Sequence, residues 1–279
     1  MQIWKAHYKD QYHDNYIDIV NTEEDSREIP LSFTLDGIEF LGRSLEDFQL
    51  ADDTKYDEAK EKFCILKAGG YSVRDTEIPY WYELQRYALD IEIPVKVLRK
   101  HDICEIQGTI HISFEYTEPD IEKSRIKTYC DDMQVYYDDV NVYDFTLHVD
   151  GVSYNSTKKT LYFESALYDI SKQMAQDYYM KCCFTCQYSD YSPYGNDNYG
   201  CMLCYCRYKE DYLKVNNKDD FFEYLENKDC EVRQETYLCR EYDLRNKCSG
   251  YRGFVDGVNE IDTKTKGICV IKESYPFPM

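Results

Sequence analysis

Residues 89–97 read Leu-Asp-Ile-Glu-Ile-Pro-Val-Lys-Val, with an apolar side chain at every odd position and a charged residue or proline at every even one. That period of two is the signature of a strand with one face in a core and the other in water. Residues 110–116, Ile-His-Ile-Ser-Phe-Glu-Tyr, repeat it after a turn-like stretch from Arg99 to Gly108. Two such segments so near in sequence predict adjacent antiparallel strands with one solvated face. Pro94 falls on the outward phase and lacks an N–H, which predicts an edge strand or a bulge.

The same reading extends on both sides. LSFTLDGIEF (31–40) and FTLHVDGVSY (145–154) each set Asp-Gly between short alternating runs. Both positions of a two-residue hairpin turn need positive φ, and Asp-Gly supplies them. After the second hairpin the period changes. Residues 165–174 (SALYDISKQM) carry Leu167, Ile170 and Met174 at helical spacing, with Ser165 as the N-cap. Asn217 to Asn227 predicts a further short helix, with an acidic first turn and Phe221, Phe222 and Leu225 on its apolar face. The expected fold class is α+β. An antiparallel β-sandwich-like domain spans residues 1–164, and an α/irregular, cysteine-rich module spans 165–279. No Gly/Ser-rich linker separates them.

The chain of 279 residues is 43% hydrophobic and 16% aromatic, enough for a packed core despite 31% charged residues. Its 33 basic against 53 acidic side chains give a net charge of −20. Such a surface repels phosphate backbones and favours salt-sensitive encounter with a basic protein, so the expected partner is a basic protein and not nucleic acid. Thirty tyrosines supply large contact areas with polar tips, suited to interfaces or to the edges of a core. No apolar run is long enough to span a membrane, and the first residues carry no secretory signal. The expected setting is the cytoplasm, where the 13 cysteines stay reduced.

Six of those cysteines lie between residues 182 and 206, in CCFTCQYSDYSPYGNDNYGCMLCYC. Cys183-x-x-Cys186 is followed after fourteen residues by Cys201-x-x-Cys204. Two residues between paired cysteines let a tight turn aim both sulfurs at one ion, and two such knuckles complete a tetrahedron around Zn²⁺. The intervening loop is rich in the turn formers needed to fold back. The five histidines, His7, His13, His101, His111 and His148, all precede the cluster, and there is no HExxH. A closed, structural zinc site is therefore expected rather than a catalytic one. The motifs G-x-x-x-x-G-K-[ST], G-x-G-x-x-G and G-x-S-x-G are also absent from the sequence. Asp131-Asp132 and Tyr136 to Asp139 read as solvated acidic faces. Arg245, Tyr251 and Arg252 read as structural residues first, with a recognition loop as the alternative.

The segment from Lys181 to Gly253 resembles a family of uncharacterised bacterial proteins, a domain of unknown function. CCFTCQYSDYSPYG (182–195), GCMLCYCRYKEDYLKV (200–215), ETYLC (235–239) and GYRG (250–253) carry the resemblance, which is faint before residue 85. It implies five pattern cysteines, Cys183, Cys186, Cys201, Cys204 and Cys239, for four ligand places. Where the family reads Cys-Phe-Arg, this chain has Cys204-Tyr205-Cys206. The family supplies no activity. The expected function is a non-enzymatic, zinc-stabilised protein-binding factor of the immunity or defence-associated inhibitor kind, using an acidic, Tyr-rich surface. The alternative is an enzyme acting on nucleic acid or protein with a structural zinc module.

Overall fold

The computed structural model describes residues 1–69, 80–117, 126–130, 133–136, 140–160, 163–193 and 198–245. The chain opens with β1 (Gln2–Lys9), β2 (Asp14–Asn21), β3 (Leu31–Leu35), β4 (Ile38–Gly42) and β5 (Gln49–Leu50), then a single helical turn, α1 (Tyr56–Ala59). Next come β6 (Ile65–Gly69), β7 (Tyr80–Leu84) and the two long strands β8 (Ala88–Arg99) and β9 (Cys104–Thr117). β10 (Ile126–Cys130) and β11 (Met133–Tyr136) pair only with each other. β12 (Val140–Val149), β13 (Val152–Asn155), α2 (Phe163–Met174) and β14 (Tyr178–Met180) return to the main body.

Hydrogen bonds trace one twelve-stranded sheet in the order β13-β12-β9-β8-β1-β2-β3-β4-β5-β7-β6, with β14 added on β8. Every described pairing within it is antiparallel. The architecture is thus α+β-like, a large antiparallel sheet with a few helices. The alternation at 89–97 is realised side chain by side chain: Leu89, Ile91, Ile93, Val95 and Val97 are buried, while Glu92, Pro94 and Lys96 are exposed. β8 and β9 are longer than the alternation alone indicates, because the ladder continues to Arg99↔Cys104 and leaves only Lys100 to Ile103 for the turn.

Pro94 is not on an edge strand. β8 is flanked by β9 along its whole length, and on its other side by β1 at Ala88–Ile91 and by β14 at Val97–Arg99. Pro94 sits opposite Thr109, between those two registers, where its missing N–H costs no ladder bond on the β1 side. Both Asp-Gly turns form as expected. Asp36 and Gly37 take φ of 48° and 77°, and Asp150 and Gly151 take 49° and 76°.

The buried face is one cluster that joins β1 to β4, β8, β9 and β12 to α2. Aromatic rings run through it: Tyr87 meets Phe114, Phe114 meets Tyr143, and Phe163 meets both Tyr143 and Phe145. Most described tyrosines are core or half-buried residues, and only Tyr12 and Tyr16 stand out as strongly exposed. Helix α2 begins at Phe163, two residues ahead of the expected start, so Ser165 lies in its first turn and does not cap it. No helix among the described residues is long and apolar enough to cross a membrane.

Candidate functional site: the cysteine-rich segment

Past β14 the elements shorten. β15 (Ser189–Asp190), β16 (Met202–Cys204) and β17 (Glu231–Arg233) make a three-stranded sheet. α3 (Lys209–Tyr212) and α4 (Lys218–Leu225) pack a small core of Tyr205, Tyr212, Val215, Phe221 and Leu225. α4 lies within the expected stretch with its acidic first turn, Phe221 and Leu225 buried and Phe222 half-buried. Asn217 caps it by accepting the Asp220 N–H at 3.0 Å, a cap that the expectation from sequence does not include.

Backbone hydrogen bonds sew residues 235–245 along residues 183–187. Cys183 N–H donates to Tyr237 C=O at 2.7 Å and Phe184 N–H to Glu235 C=O at 2.9 Å. Gln187 N–H reaches Asp243 C=O at 2.7 Å, and Arg245 N–H reaches Thr185 C=O at 3.0 Å. This lacing carries Cys239 to the first knuckle. The Cys183 thiol, pushed well up by burial, has Cys186, Cys204, Cys182 and Cys239 as its electrostatic neighbours. Cys186 in turn neighbours Cys239, and Cys204 neighbours Cys206 and Cys186. Electrostatic influence thus links Cys183 with Cys186, Cys204 and Cys239. Cys201 packs beside them, against the small cluster of Cys183, Tyr191 and Met202, while its N–H reaches Glu235 Oε1 at 3.4 Å.

Two of these sulfurs receive backbone hydrogen bonds. Burial raises Cys186, and bonds from the Asp243 and Tyr188 backbone pull it back. Burial pushes Cys204 up to about 12, against a bond from the Cys206 backbone two residues on. An N–H aimed at sulfur favours the thiolate, the form that binds metal. Among the described residues no three His, Cys, Asp or Glu side chains converge as ligands of a single ion.

Buried polar groups hold the knuckle in place. Arg245 is fully buried, and so is not a surface recognition residue. Its guanidinium donates to Cys186 C=O at 3.2 Å, to Ser189 C=O, and to the Tyr212 hydroxyl at 3.0 Å. That hydroxyl donates in turn to Asp190 Oδ2 at 2.9 Å. Glu235, also fully buried, accepts the Gly200 N–H at 2.7 Å and the Tyr191 hydroxyl at 3.1 Å; burial still pushes its carboxyl up to about 7. Tyr251, Arg252, Cys248, Cys269, the GYRG motif, Tyr137 and the acids at 131–132 and 138–139 lie outside the described residues.

The segment is also fastened to the main sheet. The Tyr199 ring is buried between Trp4 of β1, 6.1 Å away, and Phe163 of α2, 4.9 Å away. Gly200 follows at φ 84°, where an added Cβ would stand 2.9 Å from the Arg43 carbonyl oxygen. Asn21 and Gln234 exchange two amide hydrogen bonds of 2.7 and 3.0 Å in the interior. Arg27 donates to Cys230 C=O at 2.9 Å, and Arg233 donates to Glu23 C=O at 3.0 Å. Neither the Tyr199 contact nor the Asn21–Gln234 pair was legible in the sequence, since each joins residues far apart in the chain.

No curated protein and no solved structure matches the chain. A family profile does, over residues 2–189. The match spans the main sheet and the first knuckle and stops before Cys201, so it covers the part where the sequence resemblance is faintest as well as the start of the motifs that carry it. The chain belongs to this family, DUF6304, a family of unknown function.

Proposed function

We propose that the protein is a non-enzymatic protein-binding factor of the cytoplasm, stiffened by a structural zinc ion, that covers a basic protein. An immunity or defence-associated inhibitor is the most specific form of this reading. The sheet, closing sandwich-like over its core, is the scaffold, and the cysteine segment is the clip. The observation that carries the reading is the outer face of the sheet. There the cross-strand row Ile3, Val20, Ser32, Leu41, Gln49 and Glu83 mixes apolar and polar side chains, with Ile3 exposed and the others half-buried. Apolar side chains interspersed with polar ones on a sheet face suit contact with a protein partner. The net charge of −20 sets that partner's sign.

The thiols that would hold zinc influence one another electrostatically, and two of them lie under backbone donors in a turn-rich segment, while among the described residues no three ligand side chains converge on one point. Cys183, Cys186, Cys204 and Cys239 would hold the ion, with Cys201 and Cys206 outside the ligand set. Bound there, zinc would supply the cross-link and the counter-charge that four thiolates need. Two grooves among the described residues have volumes of about 410 and 130 Å³, and the up-shifted carboxyls of Glu46 and Glu235 line neither.

The test is affinity capture from native cells with elution along a salt gradient. One basic protein, released as salt rises and rebinding when purified, is the expected result. A bait that retains no partner at low salt would contradict it.

A further inference from the structure

The chain has two tryptophans, and they sit in opposite surroundings. Trp4 is sealed in the core, whereas Trp81 is half-buried on β7 and lines the groove of about 410 Å³. Leu41, Leu50 and Ala51 give this groove an apolar wall, and Asp52 and Asp53 face it from the turn after β5. The indole N–H donates to Glu83 Oε1 at 2.5 Å, so the ring is pinned by its edge and its polar atom is satisfied. Asp52 Oδ1 accepts the Thr54 N–H at 3.0 Å and its hydroxyl at 2.6 Å, which orients that carboxylate. Among the described residues Asp53 has no side-chain hydrogen bond or ion pair. Lys55, the cation of the adjoining hollow, donates instead to Gly37 C=O at 2.9 Å. The groove thus combines an aromatic ring held by its edge, an apolar wall and two carboxylates. Lys55 lies near enough to Asp52 to stabilise its charge but forms no ion pair with either acid among the described residues.

We propose that this groove docks an arginine side chain of a basic partner, its guanidinium against the Trp81 ring and paired with Asp52 and Asp53. This rests on the protein-binding reading above and names its contact point. Indole is the best aromatic face for a cation. Guanidinium is the better-matched cation, because it is flat, weakly hydrated and forked toward carboxylates, while an ammonium keeps its water. The protein's negative field raises the local concentration of such a ligand, and salt lowers it.

The experiment titrates the full chain with hexa-arginine and, separately, hexalysine peptides, following tryptophan emission and, independently, heat of binding. Saturable binding of hexa-arginine with a change in Trp81 emission is expected, with hexalysine weaker. Trp81→Ala and the pair Asp52→Asn with Asp53→Asn should each weaken binding about tenfold, the size of one partly desolvated cation–aromatic contact. Trp81→Phe should keep part of the affinity, and its remaining Trp4 emission reports an intact core. Unchanged affinity in the folded groove variants would overturn the groove, while a basic partner caught by capture would still stand. Equal binding of hexalysine, or no binding of hexa-arginine, would also overturn it.

Discussion

The sheet and the cysteine-rich segment are held together by different physics. In the sheet, long ladders such as β8–β9 satisfy the backbone, and one apolar face excludes water. In the segment the strands are two or three residues long, so the backbone is satisfied by loops, and buried polar side chains such as Arg245, Asp190 and Glu235 take part. Apolar packing tolerates substitutions of similar shape. A buried polar network does not, because each lost partner leaves another group unmet in a medium without water.

The largest expected effect exposes that contrast. Arg245→Met keeps much of the volume but removes the donors to Cys186 and Ser189 carbonyls and the charge facing Asp190. It should cost about 3–5 kcal/mol in urea unfolding, as broken buried ionic networks do. Ile112→Leu, as deeply buried in the sheet, should cost less than about 1.5 kcal/mol. Comparable losses at the two positions would erase the distinction.

Tyr199→Ala comes next, since it empties the space between Trp4 and Phe163 and should cost about 3 kcal/mol. Tyr199→Phe loses only the hydroxyl contact with Thr236 and should cost about 1 kcal/mol. Hydrogen exchange should show residues 198–245 opening more readily in the alanine variant while β8 and β9 stay protected. Uniform loss of protection would show that the two regions unfold as one. Asn21→Ala strands the Gln234 amide in the interior and should cost about 2 kcal/mol by the same denaturation.

A last effect is one of pH. Burial, with Asp47 and Glu235 nearby, pushes the Glu46 carboxyl up to about 8 from 4.5, against a hydrogen bond from Ser44. The folded chain then holds a proton that the unfolded chain releases. That contribution is complete below about pH 4.5 and is lost as pH rises toward 8. Stability should fall across this window, and Glu46→Gln should flatten the fall. An unchanged pH profile in the variant would remove Glu46 as its source.

What was legible in the sequence divides along the same line. Strand alternation, the two Asp-Gly turns and the helix after Asn217 are local patterns, and each formed where its residues stand. Pro94 predicts an edge strand or a bulge because a proline removes a ladder bond; the fold instead gives β8 two successive neighbours and puts the proline between them. The cysteine spacing marked the first knuckle, but the approach of Cys239 depends on residues 235–245 returning along 183–187, a contact that no local pattern records. The tyrosines suit either interfaces or core edges by sequence, and the described ones are largely interior, because their hydroxyls find partners such as Leu45 C=O, Asp10 and Asp190.

The most direct measurement is the metal content of the purified, reduced chain by elemental mass spectrometry, with Cys204→Ser and Cys201→Ser alongside. The expected result is one zinc per chain in the parent and in Cys201→Ser, with loss in Cys204→Ser and loosening of residues 183–245 when a chelator removes it. A fully folded parent chain that carries no metal and ignores added zinc would contradict the clip.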